Sequence, residues 1–183
     1  MNSFYTIEEL QSLGLKSFGN NVMISRKCSI YGASNISLGN NVRIDDFCLL
    51  SGEIEIGNYV HISAYSALYG GGKIKIGNFC GISPRSTLLS ASDDFSGLYM
   101  ISPLVPENLT HVTKAQIVLN DYVQLGTNTI VLPGVVLGEG AVTGACSLVK
   151  NNLRSWTINI GMPTKHYKDR LKHTKELSQQ IKL

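Results

Sequence analysis

Long apolar runs are missing from this sequence. No stretch approaches the roughly 20 consecutive apolar residues of a membrane-spanning helix, and the opening MNSFYTIEELQSLG lacks the positive segment and apolar run of a secretory signal. Only 16% of the residues are charged and 43% are hydrophobic, which favours a buried core over disorder. We expect one cytoplasmic domain with no membrane span and no nucleic-acid partner.

Cysteine and histidine are also scarce. The four cysteines (Cys28, Cys48, Cys80 and Cys146) form no CxxC pair and no disulfide framework, so we expect reduced, buried thiols and no metal site. Neither a Walker loop nor a dinucleotide-binding fingerprint is present. These absences leave few standard cofactor sites to consider.

The positive charge is concentrated at one end. From Lys150 onward there are eight Lys and Arg residues against two Asp and Glu, whereas the preceding part has eight against eleven. A basic end of this kind suits a phosphorylated ligand. A solvated tail helix explains the same pattern equally well.

Aliphatic residues recur every six positions, a period that fits neither a helix nor a simple alternating strand. Compact or β-branched residues stand four positions after many of them, as Cys48 does after Ile44. The periodic positions are Ile24, Ile30, Ile36, Leu38, Ile44, Leu50, Ile56, Ile62, Leu68, Ile76, Ile82, Leu88, Leu119, Leu125, Val131, Leu137 and Val149, with Thr143 between the last two. Repetition of this kind indicates a solenoid.

A longer period groups the hexapeptides in threes. Leu38 and Ile56 are 18 residues apart, and so are Leu119 and Leu137. Three hexapeptides per coil predict a triangular prism with Gly- and Asn-rich corners, whose inward aliphatic residues stack from coil to coil. Ile56 and Ile76 are 20 apart, and we assign the two extra residues to the Gly70–Gly72 corner.

The sequence resembles the hexapeptide-repeat acyltransferases over roughly residues 18–163. The resemblance includes IVLPGVVLGEGAVTGACSLV (130–149) and IGMPTK (160–165). It implies an all-β solenoid, a left-handed parallel β-helix, in the branch that acetylates sugars and nucleotide-linked amino sugars. Direct transfer of an acetyl group from acetyl-CoA to a hydroxyl or amine is the implied activity, in surface polysaccharide biosynthesis.

Three segments flank or interrupt the repeat. A capping box at Thr6–Glu9 predicts a short helix within an N-terminal cap, residues 1–17, and residues 164–183 predict a basic C-terminal helix. Residues 93–116 contain no hexapeptides and predict a protruding loop. The resemblance implies that this loop leans over a neighbouring subunit of a homotrimer and helps form the acceptor pocket.

The general base has several candidates. The family's histidine at the start of this loop is replaced by Asp93, followed by Asp94, and these two are candidates for a catalytic role or for a simple turn. His111 lies later in the loop. His61 is predicted to point outward below Gly81 and Gln124, where a neutral imidazole can accept a proton, although a solvated surface histidine gives the same pattern.

The family implies a path for acetyl-CoA along small residues of successive coils. Matching motif to motif places pantetheine contacts at Thr127 and Ala145, and phosphate contacts at Lys150, Lys165 and Lys168. A sugar or nucleotide sugar is the expected acceptor. Two alternatives remain: a non-catalytic binding or scaffold protein, and a zinc-dependent carbonic anhydrase of the same fold, which needs three histidines close together.

Overall fold

The computed structural model describes residues 3–181 and forms a parallel β-helix of about seven coils. Met1, Asn2, Lys182 and Leu183 lie outside the described residues, and with them the outer ends of the predicted N-terminal cap and C-terminal helix. The aliphatic hexapeptide positions point inward, as predicted: Ile24, Ile44, Ile62 and Ile82 are fully buried. Within residues 3–181, neither helix has the length or apolar content to cross a bilayer.

Short strands form the sides of the prism, and two of them are much longer than the rest. In chain order the first ten strands are β1 Ser17–Phe18, β2 Met23–Ile24, β3 Ser29–Tyr31, β4 Ile36–Leu38, β5 Arg43–Ile44, β6 Leu49–Ile56, β7 His61–Ile62, β8 Ala67–Ile76, β9 Gly81–Ile82 and β10 Thr87–Leu89. The remaining ten are β11 Ala91–Asp93, β12 Val112–Lys114, β13 Ile117–Leu119, β14 Gln124–Leu125, β15 Ile130–Val131, β16 Val136–Leu137, β17 Val142–Thr143, β18 Leu148–Val149, β19 Thr157–Ile160 and β20 Lys165–Asp169.

The strands stack into parallel sheets. One side of the prism runs β2-β5-β7-β9-β14-β17-β19, with β20 added at its end. The other two sides are joined, because β6 and β8 continue around a corner and pair with strands of both sides. At that corner the three residues 71–73 stand opposite Glu53 alone, which confirms the predicted site of the two extra residues.

Tight corners separate the sides. Successive corner residues adopt a left-handed backbone conformation, with φ of 59° at Phe47 and 63° at Tyr65. The side chain after each of them turns inward, so Cys48, Ser66 and Ser86 are buried. Because these corners are narrow, only compact side chains fit there, as the sequence predicted.

Cys146 is exposed, so the prediction of a buried thiol at this position was wrong. Its φ of 54° places it at the outward corner position, and the inward position belongs to Ser147, which is 1% exposed. Cys28 is half-buried, whereas Cys48 and Cys80 are buried as expected.

The repeat is interrupted once. Leu119 pairs directly with Ile76 although 43 residues separate them, so residues between them form one coil and an excursion. The excursion leaves as an antiparallel pair, β11 with β12, in which Asp93 faces Val112. A 3₁₀ turn at Glu107–Leu109 lies within it, and another at Ala33–Asn35 lies in the first coils.

Helices occur only near the two ends of the described chain. Helix α1, Ile7–Ser12, starts with the predicted capping box, in which Thr6 and Glu9 each bond the other's backbone N–H. The predicted continuous C-terminal helix was wrong. Lys165–Asp169 form β20, antiparallel to β19, and only His173–Ser178 form helix α2. The physical reason is the open edge of the last coil, whose backbone groups need partners.

Candidate active site

His61 lies on β7 with its side chain outward and half exposed. Its neighbours in adjacent coils are Arg43 on one side and Gly81 on the other, and Gly81 in turn pairs with Gln124. A side chain added at Gly81 would touch only Gln124, at 3.8 Å. The predicted stacking of His61, Gly81 and Gln124 is therefore confirmed.

Asp45 holds the imidazole ring of His61. Its Oδ2 lies 2.8 Å from Nε2 of His61, and its Oδ1 accepts a hydrogen bond of 2.7 Å from Nε of Arg43. Burial alone would raise the pKa of the Asp45 carboxyl, but the hydrogen bonds from Arg43 and His61 outweigh it and lower that pKa. The carboxylate therefore stays ionised beside the ring.

Sequence reasoning missed Asp45 and Arg43. Asp45 is 16 residues before His61, close to one coil, and it follows the inward Ile44 at a corner. The register of the repeat could have placed Arg43 near His61, because the two residues pair in adjacent coils. The contact of Asp45 with both of them depends on side-chain orientations, which the sequence does not give.

The two loop aspartates begin the excursion. Asp93 ends β11 and its side chain is exposed, whereas Asp94 is partly buried and accepts a 2.5 Å hydrogen bond from the Ser96 hydroxyl. His111 stacks on Tyr99, with ring centroids 5.1 Å apart. Within residues 3–181 no hydrogen bond joins His61 to any of these three side chains, which belong to the excursion.

The predicted pantetheine contacts lie on one edge of the prism. Cys146 N–H donates to the carbonyl of Thr127, and Asn128 N–H donates to the carbonyl of Pro84. The Thr127 hydroxyl also donates to Pro84, at 2.8 Å, which fixes its rotamer. Thr127 and Ala145 are therefore at equivalent places in adjacent coils, as a ligand running parallel to the prism axis needs.

The predicted phosphate contacts are all exposed at the C-terminal end. Lys150 follows β18, and Lys165 and Lys168 belong to β20. Lys168 was expected one helical turn after Lys165, and the strand replaces that geometry. Its Nζ lies 5.7 Å from the ring centre of Tyr167.

Two cavities border the side of the prism that carries His61. One of about 370 Å³ lies beneath α2, between Gly81, Tyr122 and Leu177. The other, of about 480 Å³, opens beside Arg43 and Asp45. Across residues 3–181 the structure gathers no group of three metal-ligating side chains.

Comparison with known proteins gives close matches over nearly the whole chain. A dTDP-4-amino-4,6-dideoxy-D-glucose acyltransferase of Escherichia coli is 44% identical over 177 residues, which cover 95% of this chain and 92% of the relative. AntD, an N-acyltransferase from Bacillus cereus solved with dTDP and 3-hydroxybutyryl-CoA, is 46% identical with a TM-score of 0.95, covering 98% of this chain and 96% of AntD. No protein-family model matches the chain.

Further structures of AntD carry single substitutions of a serine and of an aspartate ten residues later in its chain, and some of these hold dTDP-4-amino-4,6-dideoxyglucose and coenzyme A. A galactoside acetyltransferase in complex with coenzyme A is only 18% identical, with a TM-score of 0.61 over 92% of this chain and 74% of its own. That likeness concerns the fold alone.

Proposed function

Because the chain belongs to the hexapeptide-repeat acyltransferases of dTDP-linked amino sugars, with their left-handed β-helix, we propose that it acetylates the amino group of such a sugar with acetyl-CoA as donor. The observation that carries this proposal is the 44% identity that extends over 95% of the chain. We propose an amine as the acceptor because the Escherichia coli relative is an acyltransferase of an amino sugar.

The reaction needs few groups. An amine is protonated near neutral pH, so a base must first take a proton from it. The free amine then attacks the thioester carbonyl and forms a C–N bond, and the C–S bond breaks. The attacking nitrogen loses a proton, and the coenzyme A thiolate takes it up. Amide and free coenzyme A are the products, with no covalent enzyme intermediate.

Asp93 is the base that we place at the acceptor amine. Ser83 is the only serine in this sequence with an aspartate ten residues later, and that aspartate is Asp93. The spacing equals that of the substituted pair in AntD. Asp93 is exposed at the base of the loop, where a substrate can reach its carboxylate, and Asp94 orients the loop through Ser96.

His61, held by Asp45, is the second candidate for the base. We place the pantetheine arm of acetyl-CoA along Thr127 and Ala145, which lie on one edge of the prism. Lys150, Lys165 and Lys168 form the exposed positive surface that we assign to its phosphates, since ammonium groups suit phosphate.

We place the active site between subunits of a homotrimer. The loop carries exposed apolar side chains, with Phe95 84% and Leu104 93% exposed, which a neighbouring subunit would cover. A nucleotide diphosphate on a sugar is a leaving group, so the product is suited to a glycosyl transfer. We therefore place the enzyme in surface polysaccharide biosynthesis in the cytoplasm.

Coenzyme A release measures the proposed activity. Turnover is expected with dTDP-4-amino-4,6-dideoxyglucose and acetyl-CoA, and 3-hydroxybutyryl-CoA tests whether the donor site accepts a longer acyl group. The matched control is the corresponding dTDP sugar with a hydroxyl in place of the amine. Absence of turnover with every amino sugar, together with no thermal shift on adding coenzyme A, would contradict the proposal.

Paired variants separate the two candidate bases. Asp93→Asn is expected to lower kcat about 10²- to 10⁴-fold, the usual contribution of a general base, while coenzyme A binding is unchanged. His61→Ala is expected to retain most of the turnover. The opposite result, a large loss in His61→Ala and little in Asp93→Asn, assigns the proton transfer to His61.

A further inference from the structure

The two arms of the excursion meet where they leave the prism. Ser90 precedes β11 and Ala115 follows β12, and the N–H of Ala115 donates to the carbonyl of Ser90 at 2.9 Å. From this junction the two strands run outward as an antiparallel pair. We call β11 and β12 together the stem of the excursion.

The side chain of Ser90 ties this junction to the preceding coil. Ser90 is fully buried. Its hydroxyl donates to the carbonyl of Tyr69 at 2.8 Å and accepts a hydrogen bond of 2.9 Å from the N–H of Gly72. The backbone N–H of Ser90 also donates to the carbonyl of Tyr69, at 3.1 Å. Ser90 is therefore bound on both sides of the Gly70–Gly72 corner.

The glycines of that corner lie directly against the stem. A Cβ at Gly72 would overlap the carbonyl oxygen of Ser90 and would lie 2.6 Å from the nitrogen of Ala115. A Cβ at Gly71 would lie 3.1 Å from the Cβ of Ala91. Both arms of the stem therefore rest on glycine backbone, and a side chain at position 72 would push them away.

The two extra residues of this coil form the surface that contacts the stem. The coil that begins at Ile56 is two residues longer than the one before it, and residues 71–73 stand opposite Glu53 alone. Lys73, with φ of 74°, ends this bulge, and its Nζ binds Glu53 at 3.0 Å and Glu55 at 2.7 Å. The bulge is thus tied to the preceding coil on one side and to the stem on the other.

The stem connects this junction to Asp93, the last residue of β11. Three residues of extended chain lead from Ser90 to Asp93, a length of about 10 Å. Because β11 is paired with β12 along its whole length, a tilt at the junction is transmitted to the far end. A tilt of about 6° over about 10 Å displaces Asp93 by about 1 Å, and a misplacement of that size can cost about 100-fold in rate.

We propose that Ser90 is a positioning residue: by binding Tyr69 and Gly72 it fixes the angle at which the stem leaves the prism, and so places the carboxylate of Asp93 at the acceptor amine. This inference rests on the proposed function and goes beyond it, since the buried Ser90 acts only through Asp93. The bulge at residues 71–73 is then the seat of the stem.

A double-mutant cycle tests whether Ser90 acts through Asp93. Ser90→Ala removes the hydroxyl partner of the Gly72 N–H and is expected to lower kcat at least tenfold, with KM for the amino sugar within about threefold and coenzyme A affinity within about twofold of wild type. In the Asp93→Asn background the same substitution is expected to change kcat less than about twofold, because the carboxylate that it positions is already gone. A general loss of folded protein would lower kcat equally in both backgrounds.

Thr157→Val is the matched control. The Thr157 hydroxyl is also buried, with 3% of the residue exposed, and it also donates to one carbonyl, that of Arg154, and accepts from one N–H group, that of the Asn159 side chain. It belongs to β19 and has no contact with the stem through these bonds. Thr157→Val is expected to lose as much stability as Ser90→Ala and to keep the kcat of wild type.

Hydrogen exchange keeps this test separate from that of the proposed function, because it needs no substrate. In Ser90→Ala the amide of Ala115 and the amides of the stem are expected to exchange at least tenfold faster than in wild type, and in Thr157→Val at the wild-type rate. If wild type acetylates no amino sugar, the proposed function fails, and exchange alone decides whether Ser90 holds the stem. The inference is overturned by wild-type exchange in the stem of Ser90→Ala, by a kcat of Ser90→Ala close to wild type, or by an equal loss of kcat with and without Asp93.

Discussion

At the scale of single residues, the carboxylate of Asp45 determines how the imidazole of His61 is held. Asp45 is only one-fifth exposed and contacts both Arg43 and His61. A lowered pKa keeps it ionised across the physiological range. This contact, through Nε2 of His61, holds the imidazole ring in one orientation.

Replacing Asp45 by Asn tests whether that orientation matters for turnover. With Asp93 as the base, kcat is expected to stay within about twofold of wild type. If His61 takes the proton instead, kcat is expected to fall about tenfold with KM unchanged, because Asp45 contacts the ring of His61. Glu55→Gln, which removes a carboxylate paired with Lys73, is the control. Equal kcat in both variants would show that Asp45 has only a structural role.

The cysteines make a second prediction at this scale. Burial raises the pKa of the Cys80 thiol to about 12, so its reactive thiolate is suppressed at pH 8. Cys146 is exposed. Alkylation of the native protein is expected to label Cys146 first, and Cys48 and Cys80 only after unfolding, as read by mass spectrometry of the peptides. Rapid labelling of Cys80 in the native protein would contradict the burial of its side chain.

At the scale of elements, the corner at Gly140 leaves no room for a side chain. Gly140 has φ of 67°, and a Cβ there would lie 2.5 Å from Cε3 of Trp156. Gly14 has a similar φ of 71° with nothing within 4 Å. Because the two backbone conformations are similar, comparing alanine substitutions at Gly140 and Gly14 separates the cost of backbone strain from the cost of crowding.

Gly140→Ala is expected to lower the free energy of unfolding by about 2 to 4 kcal/mol, because the cost of the left-handed conformation adds to displacement of the ring. Gly14→Ala should cost about 1 kcal/mol, from the backbone alone. Denaturant titration gives both values. Equal losses would show that Trp156 moves aside freely.

The C-terminal segment shows where local patterns fail at this scale. Its polar residues with spaced apolar side chains are compatible with a helix, yet residues 165–169 form a strand. β19 presents an unpaired edge after the last coil, and pairing with β20 satisfies its backbone groups. The N-terminus of helix α1 was predicted correctly, because the capping box that starts it depends only on four consecutive residues.

At the scale of the whole molecule, the loop leaves apolar side chains without cover within one chain. Phe95, Leu98 and Leu104 are each more than 80% exposed. In the proposed trimer, with a mass of about 60 kDa, three times 19.9 kDa, a neighbouring subunit would cover them.

Leu98→Asp combined with Leu104→Asp is expected to dissociate the trimer and to lower turnover more than tenfold, because charges at a buried apolar contact are costly. Light scattering after size exclusion measures the mass. Ile7→Asp, at a side chain 66% exposed on α1, is the control and should remain trimeric. A trimer of wild-type activity in the loop variant would refute the assigned interface.

The sequence by itself determined the prism, its core and the position of the excursion. A period of six fixes which side chains are buried, and neighbouring coils repeat the same burial, so Ile62 and Ile82 face the core whatever surrounds them. The tertiary structure alone decided that Asp45 holds His61, that Arg85 stacks on Tyr65, and that β20 closes the last edge. Burial follows from a pattern along the chain, whereas these contacts depend on how side chains and backbone edges of different coils meet in space.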